Sequence, residues 1–120
     1  MIVRHQDKTE QAASEVRGGV GQVFSRLLVK GEGRSALTAL ALNRIPAGCH
    51  WGETVHRAAE EFFFIVEGTA SVLDRGAWQE LGPGDLLYTL PGKELAIRNT
   101  GSGDLVFLAG MIKQPQGFFR

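Results

Sequence analysis

Apolar runs of strand length, cut at close intervals by glycine, proline and aspartate, follow one another along this chain from Gln22 to Ile112. That spacing predicts strands rather than helices. The densest run, Glu61 to Val66 (EFFFIV), is β-branched and aromatic and closes on Glu67-Gly68, as a buried strand ending in a tight turn does. On the same grounds strands are expected over Gln22–Val29, Ala36–Ile45, Thr69–Leu73, Ala77–Leu81, Leu86–Leu90, Glu94–Asn99 and Leu105–Ile112. Turns at Lys30–Ser35, Asp74-Arg75-Gly76, Gly82-Pro83-Gly84-Asp85, Pro91-Gly92-Lys93 and Thr100–Asp104 separate most of them. Trp78 is expected to pack across the Thr69–Leu81 hairpin.

Upstream the signals differ. Met1–Arg4 reads as a short strand, and Asp7 with Glu10 has capping-box spacing for a helical turn through Gln11, Ala12 and Ala13 that ends near Gly18-Gly19. The cluster Gly18-Gly19-Val20-Gly21 follows that turn instead of a strand and lacks the glycine spacing of a phosphate loop. Neither alternating set of Ala36–Ile45 is uniformly polar, and Phe62, Phe63 and Phe64 send rings to both faces of one strand. Both faces of the sheet therefore need cover, one from the barrel core and one from a second subunit. The tail, Lys113–Arg120, reads as irregular. With no long helix, the expected class is all-β, a jelly-roll sandwich or barrel with a short N-terminal helical turn.

At 120 residues the chain is expected to form one domain, 1–120, with a core of its own. Lys plus Arg and Asp plus Glu balance at 13 each, which gives no basic footprint for nucleic acid or an anionic membrane. Cys49 is the one cysteine, the start MIVRHQDKTEQ has no apolar signal core, and no apolar run is long enough to cross a bilayer. A cytoplasmic setting is expected.

Candidate chemistry gathers between Gly48 and Gly68, which hold His50, His56, Cys49 and Glu61. Gly48, position 54, His56, Glu61 and Gly68 fall on the frame glycine, five residues, His-x-His, four residues, glutamate, six residues, glycine. Gly84, position 90, Gly92, position 95 and Asn99 fall on the frame glycine, five residues, proline, x, glycine, two residues, histidine, three residues, asparagine. These segments, 48–68 and 84–99, resemble the paired motifs of the cupin superfamily, small β-barrels that commonly hold a divalent metal through three histidines and a glutamate. The departures are Thr54 and Leu95 where two of the histidines belong, and Leu90 where the proline belongs, with Pro91 beside it.

The resemblance implies that only His56 and Glu61 carry over as metal ligands; a rescue donor is to be sought in His50, Cys49, Glu53 or Glu60, with His50 reaching the centre only if its loop folds inward. A transition metal wants three or four imidazole, thiolate or carboxylate donors, so no cofactor is firmly expected, and a divalent metal only with such help. In a site without the metal, His56 is expected to act as general acid or base oriented by Glu61, in isomerase, cyclase or lyase chemistry on a small organic molecule. Trp51, Thr54, Tyr88 and Leu95 are expected to line the pocket. Left open beside this are a barrel that binds a small apolar or carboxylate-bearing ligand without turnover, a metal-dependent enzyme with non-standard ligands, and a filled scaffold barrel. His56 and Glu61 also read as a plain interior hydrogen-bonded pair, Trp51 and Trp78 as packing residues, Cys49 as inert, and His5, Arg44 and Arg98 as solvated surface groups. A homodimer is implied by the resemblance.

Overall fold

Ten strands form among residues 1–33 and 35–114, which are those described by the computed structural model. They are β1 (Gln11–Ser14), β2 (Gln22–Lys30), β3 (Leu37–Ile45), β4 (His50–Val55), β5 (Ala59–Glu67), β6 (Ala70–Asp74), β7 (Ala77–Leu81), β8 (Leu86–Thr89), β9 (Glu94–Asn99) and β10 (Leu105–Lys113). Pairing is antiparallel in two sheets, a large one in the order β1-β2-β3-β10-β5-β8 and a small one in the order β4-β9-β6-β7. This is the jelly-roll architecture expected from the strand spacing.

Period-two alternation sends one set of side chains between the sheets. Phe63 and Ile65 of β5, Phe107 of β10, Ile45 of β3, Leu95 and Ile97 of β9 and Trp51 of β4 are all buried there. Trp51, Phe63 and Phe107 meet edge to face with centroids 5.7, 5.1 and 5.2 Å apart, an arrangement that suits the ring quadrupoles. The opposite set of β5 lies outside: Phe62 stacks on Tyr88 at 6.3 Å, and Phe64 is partly in water. Gly110 makes the first of these fit, because a Cβ there would stand 2.2 Å from the Phe62 ring.

The N-terminal region differs from expectation. Met1–Arg4 is not a strand, and Gln11–Ala13 is not helical: the helical turns are short 3-10 pieces at His5–Asp7 and Val16–Gly18, with β1 between them. A four-residue helix has too few hydrogen bonds to offset its nucleation cost, whereas Gln11–Ser14 pairs with Ser25 to Gln22 across the sheet. Glu10, just before β1, accepts from Arg44 of β3 at 2.8 Å, and that bond holds its carboxyl below the usual range. Arg44 also lies 4.1 Å over the Phe24 ring, so it is a packed group rather than a solvated charge. The strand expected to end at Leu90 stops at Thr89, and β10 reaches Lys113, the first residue of the expected irregular tail. Gln114 follows, its N–H donating to the Ala58 carbonyl at 2.9 Å, and the tail from 115 on lies outside the described residues. No helix among the described residues is long and apolar enough to cross a membrane.

Candidate functional site

The centre of the site is Glu61, on the inner face of β5 and 4% exposed. Its Oε1 lies 3.0 Å from His56 Nε2, and Arg17 donates to both of its oxygens, Nη1 to Oε1 at 2.8 Å and Nη2 to Oε2 at 3.1 Å. A buried carboxylate is costly unless charge and hydrogen bonds compensate it, and this bidentate fork with the imidazole beside it supplies both. His56 sits where the chain leaves β4, and its carbonyl accepts the Gly92 N–H at 2.8 Å. The turn of the second motif therefore anchors the histidine of the first.

A bulge sets which side chains of β4 face inward. Trp51 pairs with Ile97 and Thr54 with Leu95, so β4 carries one residue more than β9 between these points. Trp51 and Thr54 consequently share the inner face although two residues, Gly52 and Glu53, lie between them, and Thr54 and Leu95 lie side by side as expected. His50 does not join them. It belongs to β4 rather than to a loop, it pairs with Arg98, and it lines a cleft of about 340 Å³ with Glu53, Trp78 and Arg98 that Arg17 and Trp51 also border. The bulge reverses the parity, which excludes His50 as an inward rescue ligand. Trp78 likewise lies outside, 4.0 Å under the Arg98 guanidinium, so Arg98 too is packed.

Tyr88 also lies away from the site expected for it. Opposite Phe62 on β8, it stands 45% exposed on the outer face, while its neighbours Leu87 and Thr89 point inward and are buried. Partial burial, with the Glu60 carboxylate adding to it, holds the Tyr88 phenol above its usual range. The cleft it lines, of about 370 Å³, is shared with Leu86, Leu87, Leu90 and Lys93.

Arg17 and Thr89 were not among the residues expected here. Arg17 lies in the β1–β2 connection, which runs along the free edge of β4: Val20 and His50 exchange backbone hydrogen bonds at 3.1 and 3.0 Å. Contact is close enough that a Cβ on Gly19 would stand 2.1 Å from the His50 carbonyl oxygen, and one on Gly52 2.1 Å from the Arg17 carbonyl oxygen. Glu15 and Arg17 are both left-handed (φ 53° and 56°), conformations that cost of order 1–3 kcal/mol each in a non-glycine residue. The result is an arginine held 4.8 Å over the Trp51 ring and clamped on Glu61. Thr89 pairs with Glu61 in register; its hydroxyl and the Trp51 indole Nε1 are buried with no hydrogen-bond partner among the described residues.

A divalent ion held by the protein does not fit this set. Among the described residues no group of three or more His, Cys, Asp and Glu is placed to hold one. Leu95 is no ligand, the Thr54 hydroxyl is a poor one at neutral pH, and Glu61 is engaged by Arg17.

The sequence profile of the family described as Cupin domain matches residues 42–111. An oxalate-binding protein from Thermotoga maritima is 33% identical over 113 residues, 93% of each chain. The crystal structure of a predicted oxalate decarboxylase from Thermotoga maritima superposes with a TM-score of 0.90 at 32% identity, covering 94% of this chain and 99% of that one. The polyketide cyclase RemF from Streptomyces resistomycificus, at 18% identity, has a TM-score of 0.73 over 96% of this chain and 82% of its own, a likeness of fold alone.

Proposed function

We propose, from the premise that this chain belongs to the cupin family, that its barrel binds a small carboxylate-bearing molecule between the two sheets. The observation that carries this reading is the polar set at Glu61: a guanidinium with N–H groups to spare, an imidazole, and two buried donors, Thr89 Oγ1 and Trp51 Nε1, unpaired among the described residues. Native interiors rarely leave such donors unpaired, and a carboxylate is an acceptor whose chemistry suits each of them. The Thermotoga maritima relative is named for binding oxalate, which supports a small dicarboxylate as the first ligand to try. Titration of metal-stripped protein with oxalate, malonate and acetate by calorimetry is expected to give saturable binding to at least one. Thr89→Val is expected to weaken that binding about tenfold, the value of roughly one hydrogen bond to a charged group. No heat and no shift in melting temperature with any of the three at millimolar concentration sinks the proposal.

A second reading, proton transfer on the bound molecule, is favoured by the 3.0 Å contact between His56 and Glu61. In it His56 exchanges the proton and Glu61 holds the ring in place. Following the ligand by NMR over hours decides: conversion that disappears in His56→Ala supports an enzyme of the isomerase, cyclase or lyase kind, and unchanged spectra leave a binding protein.

The outer face of the large sheet exposes Phe64, Val66, Leu86 and Tyr88 together. We infer that a second copy covers it, as the family resemblance implies, so light scattering at micromolar concentration is expected to give twice the 13.0 kDa chain mass. The chain mass itself would sink this. The free thiol of Cys49 is compatible with a reducing, cytoplasmic setting.

A further inference from the structure

Glu61 and His56 occupy two of the four ligand positions of the cupin frame, yet both oxygens of Glu61 are bonded to a positive charge that belongs to the chain itself. The positions of the missing ligands, Thr54 and Leu95, stand paired across β4 and β9 as one neutral and one apolar side chain. Among the described residues no group of three or more His, Cys, Asp and Glu gathers around an ion position. We propose that the Arg17 guanidinium takes the place of the divalent cation, making the barrel centre a site whose cation is covalently tethered and delivered from the β1–β2 connection.

The delivery is built into the backbone. Glu15 and Arg17 are left-handed, and Gly19 and Gly52 lack the Cβ atoms that would push the connection off β4. Planarity suits the role, since a guanidinium fork matches a carboxylate bidentately, as neither a hydrated ion nor a lysine does, while its carbon stands 4.8 Å over the Trp51 ring. The charge also differs: a divalent ion on one carboxylate nets a single positive charge, whereas a guanidinium on one carboxylate nets none. Such a site attracts anions more weakly and relies on directed N–H and O–H donors. This inference goes beyond the ligand reading above, and it holds whichever molecule the barrel takes.

The experiment is elemental analysis after incubation with excess Zn²⁺, Mn²⁺ or Ni²⁺ and desalting, paired with thermal melts with and without chelator. The wild-type chain is expected to retain far less than one ion and to melt at the same temperature in both. The variant Thr54→His with Leu95→His restores the frame's donors but keeps the guanidinium, and is expected to stay metal-poor. Adding Arg17→Ala to that pair is expected to give close to one ion per chain and a melting temperature that rises with metal. Stoichiometric metal in the wild type overturns the proposal, and so does a triple variant that binds no more than the double one. Should the triple variant not fold, Arg17→Lys and Arg17→Met decide: loss of the charge is expected to lower the melting temperature by about 10 °C, and lysine by less than half as much. Equal losses would mean that Arg17 only fills space.

Discussion

Phe63→Ala is expected to lower stability by about 3–5 kcal/mol, measured as an earlier urea midpoint at unchanged slope. The ring is fully buried at the middle of β5 and touches the rings of both Trp51 and Phe107 edge to face. Removing it loses the transfer energy of the side chain and opens a cavity walled by β-strands, which cannot collapse without breaking the ladders to β10 and β8. Phe64→Ala, one residue on, removes an identical ring from the partly exposed face and is expected to cost less than half as much in the isolated chain. Equal losses at the two positions would contradict the placement of the core.

Asn99→Ala is expected to cost about 2–4 kcal/mol, a large effect for so small a side chain. Its Nδ2 donates to the carbonyls of Ile45 and Gly103, each at 2.8 Å, and its Oδ1 accepts the Gly101 N–H at 2.9 Å. Alanine leaves those groups without their partner, and the Ile45 carbonyl bond is buried. The loss should appear in thermal melts while the 3.0 Å pairing of His56 and Glu61, on the other strands of the barrel, is left in place. Asn99→Asp, which keeps the acceptor but not the two donors, is expected to recover little.

These effects explain why the frame was readable where the ligands were not. Gly48, Gly68, Gly84 and Gly92 all take φ between 78° and 90°, a region costly to other residues, and Asn99 stitches the β3, β9 and β10 ends together. Those five motif positions serve the backbone, so they mark the fold even in a chain that carries Thr54 and Leu95. Strands bounded by strong turns, Ala77–Leu81 and Glu94–Asn99, run as their sequences predict. β1 did not announce itself, because Gln11–Ser14 has no alternation and is a strand only through its pairing with β2.

Within the site, His56 and Glu61 were legible from motif spacing and Arg17 was not. Its contact with Glu61 spans 44 residues and is made by an irregular, glycine-rich segment with no periodicity to read. His50 and Tyr88 were misplaced for a different reason: each is a matter of strand parity, and a single extra residue in β4, or the unknown register of β8 on β5, turns a side chain from one face to the other.

The β1–β2 connection also has a bearing on solubility. β4 is the last strand on its side of the small sheet, and Val20 occupies its outward amide and carbonyl at His50. A chain shortened by its first twenty residues would offer that bare rim to any passing extended segment, its own copies included. The arm that brings a charge into the barrel thereby also works as a bumper against fibrous stacking.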